Sequence, residues 1–283
     1  WTRGGKEEAR IVNSKLRGSV DLDVLSLGNA PGTPEHGLTA EVIEVQSLKE
    51  VEQLGRERIE GKIVFFKRPM DPTHLRTFTA YGAAVDQRVW GPAKASEYGA
   101  VATLVRSMTV NISDVPHTGV TVFREGKEPI PAFAVSTEDA NLLSHLLGEE
   151  DSVSVYMHSN AAMLGKKTSY NVIAEKKGTT HPDEIILVGG HLDSWDVGEG
   201  AHDDGAGCVQ SMEVLRILDM MDYEPKRTLR CVLFMNEENG MSGGITYADK
   251  TTEQGLFHLA ALEPDRGGFT PREFTFDARD TLL

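Results

Sequence analysis

The fold of this 283-residue chain is decided by one stretch, Ile185-Ile186-Leu187-Val188-Gly189-Gly190-His191-Leu192-Asp193. Its first six residues form a continuous apolar run of strand length, which is typical of a strand buried on both faces of a parallel sheet. A histidine and an acid follow at the carboxyl end of that strand. Ligands bind at this end in open α/β sheets, so the stretch predicts a strand that leads into a polar site.

Strands and helices alternate after this stretch. Cys208, Met212 and Leu215 recur at i, i+4 and i+7, which predicts an amphipathic helix with these residues on its apolar face. The predicted elements are helices over 206–220 and 244–250 and buried strands over 229–235 and 256–262. Such alternation is typical of an α/β fold with a mostly parallel sheet and helices on both faces.

Acidic side chains follow all three predicted strands. They are Asp193 and Asp203 after the first strand, Glu237 and Glu238 after the second, and Asp265 after the third. The carboxyl ends of parallel strands meet at one edge of a sheet, so we expect these side chains to lie close together. Each segment alone also fits a helix cap, a solvated loop or a turn. Crowded carboxylates repel each other and bound cations offset that cost, so their joint occurrence favours a metal site.

The residue types at this edge suit different tasks. Asp203 lies in a Gly-rich turn, and a carboxylate can bridge two metal ions through its two oxygens. Glu237 and Glu238 are adjacent and point in different directions, so one can bind metal while the other takes a proton from water. Asp193 is placed to accept the second ring N–H of His191 and to fix its tautomer.

The front part of the chain, residues 28–164, has a different sequence pattern. Short strand-like runs are separated by Gly/Pro turns, and a helix is predicted over residues 83–98. A second helix is predicted to begin after Ser136, where a capping hydroxyl precedes Glu138 and Asp139 in the first turn. These features predict a small β-rich module with few candidate catalytic residues.

Several segments resemble the M28 family of zinc peptidases, in particular dipeptidases with an inserted protease-associated domain. Residues 190–198 read GHLDSWDVG and residues 225–230 read PKRTLR, both close to that subfamily. The front part agrees in GKIV at 61–64, in RS at 106–107 and in PHTG at 116–119. The resemblance thus covers nearly the whole chain.

The resemblance implies a zinc-aminopeptidase-like α/β fold with three regions. Residues 1–27 would supply strands to the peptidase side, residues 28–164 would form the inserted β-rich protease-associated domain, and residues 165–283 would form a peptidase domain that is incomplete at its C-terminus. The inserted domain would cover the cleft or contribute to a homodimer. The resemblance also implies a secreted or periplasmic protein.

The resemblance further implies two Zn²⁺ ions. His191 and Asp265 would bind one zinc, Glu238 would bind the other, and Asp203 would bridge both. Glu237 would be the general base, taking a proton from a water that bridges the ions and attacks the scissile carbonyl. The implied activity is hydrolysis of dipeptides, or of the N-terminal residue of short peptides with a free N-terminus.

Two departures from the family pattern matter. Family members have one more His ligand near the C-terminus, whereas the only downstream histidine here is His258, inside the third strand and before Asp265. We therefore expect that ligand beyond Leu283, and weak or absent zinc binding and activity for these 283 residues alone. Pro264 and Asn236 replace small residues beside the ligands without replacing a ligand.

Composition mainly excludes classes of partner. The net charge of −14 argues against nucleic acid, because phosphate binding needs clustered Lys and Arg. No apolar run approaches the roughly 18–20 residues that a bilayer crossing requires. Cys208 and Cys231 lie in apolar segments and are predicted to be buried free thiols. The start at Trp1, without an initiator Met, predicts a fragment or a processed chain.

Three alternatives stay open. The chain could be an inactive fragment whose front module only binds a partner. It could be a glutaminyl-cyclase-like aminoacyltransferase, which uses a related fold with one zinc. It could also be a carboxypeptidase, which would not need a free N-terminus on its substrate.

Overall fold

The structure is a computed structural model that describes residues 1–5, 7–271, 274–275 and 277–278. The chain divides into two compact units, Trp1–Lys166 and Lys167–Leu283. Among the described residues, none of the helices combines the length and the apolar character that a membrane crossing requires.

The first unit is built on an eight-stranded mixed sheet. Its strands are β1 (Glu8–Ser14), β2 (Gly18–Leu22), β3 (Val24–Ser26), β4 (Leu38–Val45), β5 (Ile63–Phe66), β6 (Ala102–Arg106), β7 (Ala132–Val135) and β8 (Ser154–His158). The spatial order is β2-β1-β8-β4-β5-β6-β7-β3. Strands β4 to β7 pair in parallel, and the other pairs are antiparallel. β5, β6 and β7 are buried at every position, so the core lies on both faces of the central strands.

The helices of the first unit are α1 (Leu48–Ile59), α2 (Thr77–Gly82), α3 (Asp86–Val89), α4 (Gly91–Glu97) and α5 (Thr137–Glu149). The start of α5 is confirmed, because the Ser136 hydroxyl accepts a hydrogen bond from the Asp139 backbone N–H. The single helix predicted over 83–98 is wrong, since α3 ends at Val89 and α4 begins at Gly91, with Trp90 between them. Pro92 lacks a backbone N–H and is tolerated only in a first helical turn, so a new helix starts at this point.

The N-terminal strands belong to the first unit, and not to the peptidase side where residues 1–27 were expected. β1 pairs with β2 and β8, and β3 pairs with β7. The reason is the apolar face of β1, where Ile11 is fully buried in one core cluster with Val155 and Met157 of β8. Burying these side chains favours pairing inside the first unit.

The second unit contains a four-stranded sheet with the order β12-β10-β11-β9. Its elements are β9 (Val172–Lys176), β10 (His181–His191), α6 (Ala206–Met220), β11 (Arg227–Phe234), α7 (Ser242–Glu253) and β12 (Phe257–Leu262). β10 pairs in parallel with both β11 and β12, and β9 is an antiparallel edge strand. The α/β alternation predicted for this part is confirmed, whereas the sequence pattern did not reveal β9.

The burial of the second unit differs from prediction at two places. β12 was predicted to be a buried strand, but within the described residues it pairs only with β10, and Leu259 is 51% exposed. On α6 the predicted apolar face is only partly buried. Cys208 lies in the core, whereas Met212 is 48% exposed.

Parallel pairing brings three strand ends to one edge of this sheet. His191 at the end of β10 lies opposite Phe234 at the end of β11, and Val188 lies opposite Leu262 at the end of β12. The segments that leave these strands carry the acidic residues singled out in the sequence. The candidate site therefore lies entirely within the second unit.

Candidate metal centre

His191 is the buried centre of the site. Its side chain is 1% exposed, and its Nδ1–H donates to the backbone carbonyl of Asp193 at 2.8 Å. The opposite ring nitrogen, Nε2, lies 3.2 Å from Oδ1 of Asp203 and 3.4 Å from Oδ1 of Asp265. The carbonyl fixes the tautomer that leaves Nε2 free to bind a metal.

His191, Asp203 and Asp265 form a group of possible metal ligands. One donor atom from each lies within 4.8 Å of the others. In the described part of the chain no other three His, Cys, Asp or Glu side chains meet this criterion. One imidazole nitrogen and two carboxylate oxygens are ligands that zinc accepts, so these residues fit a zinc ion.

The charges around His191 fit a site built for a cation. Burial alone would lower the pKa of His191, but the hydrogen bond to Asp193 and the charges of Asp265, Glu237 and Asp204 raise it to about 9. Burial raises the pKa of Asp265, and the neighbouring charge of Asp203 raises it further. Without a cation, the negative charges of these acids are therefore not balanced by the positive charge of His191 alone.

Glu237 and Glu238 follow the end of β11. Asn236 adopts a left-handed conformation, with a φ of 68°, that turns the chain here. The pKa of Glu237 is raised, mainly by burial. The charge of His191 acts against this shift, and the charge of Asp265 adds to it. Burial raises the pKa of Glu238 to about 7, together with the charge of Asp203. Glu238 lies outside the group of three donors but is electrostatically coupled to Asp203.

The Asp193 carboxylate was predicted to contact the His191 ring, but it binds the backbone of the glutamate pair instead. Its Oδ1 accepts the backbone N–H of Glu237 at 3.0 Å, and its Oδ2 accepts that of Glu238 at 3.2 Å. The contact with the His191 ring is made by the Asp193 backbone carbonyl. One residue thus joins the candidate ligand on β10 to the glutamate pair after β11.

Asp204 is a site residue that the sequence interpretation left unassigned. It is 1% exposed, and its carboxylate accepts the backbone N–H of His191 at 3.1 Å and that of Gly207 at 3.0 Å. A Cβ on Gly190 would lie 2.5 Å from this carboxylate, and one on Gly207 would also overlap it. The helix-cap pattern at Asp203-Asp204-Gly205 was the available signal, because Asp204 caps the first turn of α6.

Asp203 lies in the turn Ala201–Gly205 ahead of α6, where Asp203 and Asp204 have non-helical backbone angles. The peptide bond from Asp203 to Asp204 is cis. His202 contacts the loop after Asp265, since its Nδ1 accepts the Gly268 N–H at 3.3 Å. This contact joins the two segments that carry the candidate carboxylate ligands.

Two residue types that could be mistaken for catalytic groups are structural. Cys208 and Cys231 are buried free thiols, as predicted. Burial, with the charge of Asp204, raises the pKa of Cys208 to about 11, and its thiol donates to the His191 carbonyl. His258 hydrogen bonds to the Tyr247 hydroxyl at 2.8 Å and is outside the donor group. The further His ligand expected beyond Leu283 falls outside the described residues.

Comparison with known proteins points to one family. Residues 171–282 match Peptidase family M28. Carboxypeptidase Q of Bos taurus is 35% identical over 280 residues, which are 99% of this chain and 57% of that protein. The chain therefore spans little more than half the length of the curated relatives it matches.

Solved structures agree with this relationship. The Peptidase M28 precursor from Shewanella amazonensis SB2B is 36% identical with a TM-score of 0.86, over 94% of this chain and 59% of that one. BSAP, a zinc aminopeptidase from Bacillus subtilis, is 22% identical with a TM-score of 0.61, over 92% and 58% of the two chains, and shows likeness of fold alone. Residues 171–282 thus carry a Peptidase family M28 domain, and nearly the whole chain is similar to carboxypeptidase Q and to a Peptidase M28 precursor.

Proposed function

We propose that this protein is a zinc-dependent peptidase that hydrolyses dipeptides or removes the N-terminal residue of short peptides. The proposal rests above all on His191, Asp203 and Asp265, whose donor atoms converge at the carboxyl edge of the sheet. The glutamate pair held beside them by Asp193 supplies the second element. The match of residues 171–282 to a peptidase family supports peptide hydrolysis as the reaction.

We propose separate roles for the residues of the site. His191, Asp203 and Asp265 would hold one zinc ion, and Asp203 and Glu238 would hold a second. When bound, the ions polarise the scissile carbonyl and lower the pKa of the attacking water. Glu237 takes a proton from this water and returns it to the leaving amine. Asp193 keeps the His191 ring and Glu237 in place.

The negative charge of the site favours a substrate with a free N-terminus. The acidic side chains at this edge are Asp193, Asp203, Asp204, Glu237, Glu238, Glu263 and Asp265. Two zinc ions would not neutralise all of them, so a protonated α-amine is attracted. A C-terminal carboxylate is repelled by the same charges.

Further proposals concern the rest of the natural protein. Residues 28–164 are proposed to form the inserted protease-associated domain, within the first unit that the structure describes. This domain would contribute to a homodimer. The protein is proposed to act outside the cytoplasm on small peptides.

The proposal predicts that hydrolysis needs a free N-terminus. The zinc-loaded natural protein should cleave an unblocked dipeptide and should leave the N-acetylated dipeptide intact. The C-terminally amidated dipeptide should be cleaved at least as fast, because the site does not require the carboxylate and its negative charge repels it. Release of the free amino acids, measured by chromatography, gives the rates.

The other outcomes identify the alternatives. The name of the carboxypeptidase Q relatives makes a carboxypeptidase the second candidate. Equal cleavage of the N-acetylated and free dipeptides, with the amide resistant, would establish it. Ammonia release from a peptide that begins with Gln would instead indicate a cyclase. If the zinc-loaded protein turned over none of these substrates, it would be inactive.

A further inference from the structure

Asn171 closes the segment that carries the glutamate pair. It lies directly before β9, beside the end of β11. Its Oδ1 accepts the Met235 backbone N–H at 3.0 Å, and its Nδ2 donates to the Gly243 backbone carbonyl at 2.9 Å. One side chain thus binds both ends of residues 235–243.

The two ends of this segment also bind each other. The Gly243 N–H donates to the Met235 carbonyl at 2.9 Å. A methyl group on Gly243 would overlap both this carbonyl and Oδ1 of Asn171. The backbone at Gly243 therefore lies closer to the Asn171 amide than it could if position 243 carried a Cβ. The segment is a closed loop whose base contains the Asn171 side chain.

The position of Asn171 follows from β9. This edge strand pairs with β11 in antiparallel register, with Val172 opposite Leu233. Asn171, the residue before Val172, consequently lies where β11 ends and residues 235–243 begin. We call these residues the glutamate loop. Most of β9 is exposed, so the strand adds little to the core.

The loop is held from two sides. Asn171 binds its ends, and the Asp193 carboxylate binds the backbone of Glu237 and Glu238 in its middle. The two anchors together hold the backbone that carries the two carboxylates. Without Asn171, the base of the loop would be closed only by the Gly243–Met235 backbone hydrogen bond and would lose its side-chain anchor to the residue before β9.

We propose that Asn171 is a positioning residue that holds the glutamate loop in its catalytic geometry. The inference rests on the proposed function, in which Glu237 is the base. Displacement of a base by about 1 Å can cost on the order of 100-fold in rate, and loss of an outer partner of a metal site typically costs about 10- to 100-fold. The two side-chain hydrogen bonds of Asn171 go to backbone atoms of Met235 and Gly243, and not to a proposed ligand or base.

The test compares three variants of the zinc-loaded natural protein. Asn171→Ala removes both hydrogen bonds. Asn171→Asp keeps the shape and the acceptor for Met235 but loses the donor to Gly243. Glu175→Gln is the matched control, because Glu175 on the same strand accepts hydrogen bonds from Arg230 of β11 at 2.8 and 3.0 Å, away from the loop.

Zinc content, kcat, KM and amide hydrogen exchange are measured for each. Asn171→Ala should keep its zinc, lose about 10- to 100-fold in kcat with KM within about 3-fold, and show faster exchange over residues 235–243. Asn171→Asp should lose roughly 10-fold in kcat by the same mechanism and serves if Asn171→Ala does not fold. Glu175→Gln should keep both kcat and the slow exchange of the loop.

Two outcomes overturn the inference. One is a zinc-loaded Asn171 variant with the kcat and loop exchange of the wild type. The other is an equal loss in Glu175→Gln, which would assign the effect to general loosening of β9. A wild-type protein without zinc or turnover would refute the proposed function instead, and loop exchange would still decide whether Asn171 holds the segment.

Discussion

Glu237→Gln should keep its zinc and lose about 10²- to 10⁴-fold in kcat, which is the usual contribution of a general base. The amide has the shape of the carboxylate, and the backbone N–H of Glu237 still donates to Asp193. The proposed ligands His191, Asp203 and Asp265 are unchanged. KM should therefore stay close to that of the wild type, and the loss should appear in the chemical step. Steady-state kinetics with an unblocked dipeptide, together with metal analysis, measure both quantities.

Glu263→Gln is the matched control for this variant. It removes the same charge from the same cluster, since the pKa of Glu263 is also raised by partial burial and by Asp265. Its kcat should fall far less than that of Glu237→Gln. Near-normal turnover in Glu237→Gln, or an equal loss in both variants, would show that Glu237 is not the base.

Asp203→Ala should lose metal as well as activity. Its carboxylate lies beside Nε2 of His191 and is proposed to share both ions, so its removal affects each of them. The loss in zinc affinity should exceed the roughly 10- to 100-fold typical of residues that only support a ligand. Competition with a chromogenic chelator measures the affinity. The exposed residue Glu199, in the loop before Ala201–Gly205, provides the control Glu199→Ala.

Glu199→Ala should retain wild-type zinc affinity, because it removes a charge from the loop without removing a ligand. Asp203→Asn should fall between the two, since it keeps one oxygen able to bind metal. If Asp203→Ala binds two zinc ions as tightly as the wild type, Asp203 does not bridge them.

The sequence was most informative where local chemistry repeats along the chain. The apolar run before His191 and the acids after each strand predicted where the site would lie, because parallel strands place their carboxyl ends together. The helix break at Trp90 has a local cause too, because Pro92 requires a new helix start. The prediction of one helix over 83–98 followed the apolar pattern and did not take this proline into account.

The supporting contacts had no comparable signal. Asn171 binds residues 64 and 72 positions away, and the Asp193 carboxylate binds residues 44 and 45 positions away. Such hydrogen bonds depend on strand order and register, which periodicity does not encode. The same holds for β1, whose buried Ile11 is explained only by its pairing with β8.

The most direct test of the account is the location of zinc in crystals of the natural protein, by anomalous diffraction at the zinc edge. We expect two peaks that share Asp203. One should lie about 2.0–2.2 Å from Nε2 of His191 and an Asp265 oxygen, and the other at a similar distance from Glu238. A zinc-soaked crystal with no peak at His191, or with zinc bound away from Asp203, would contradict the account.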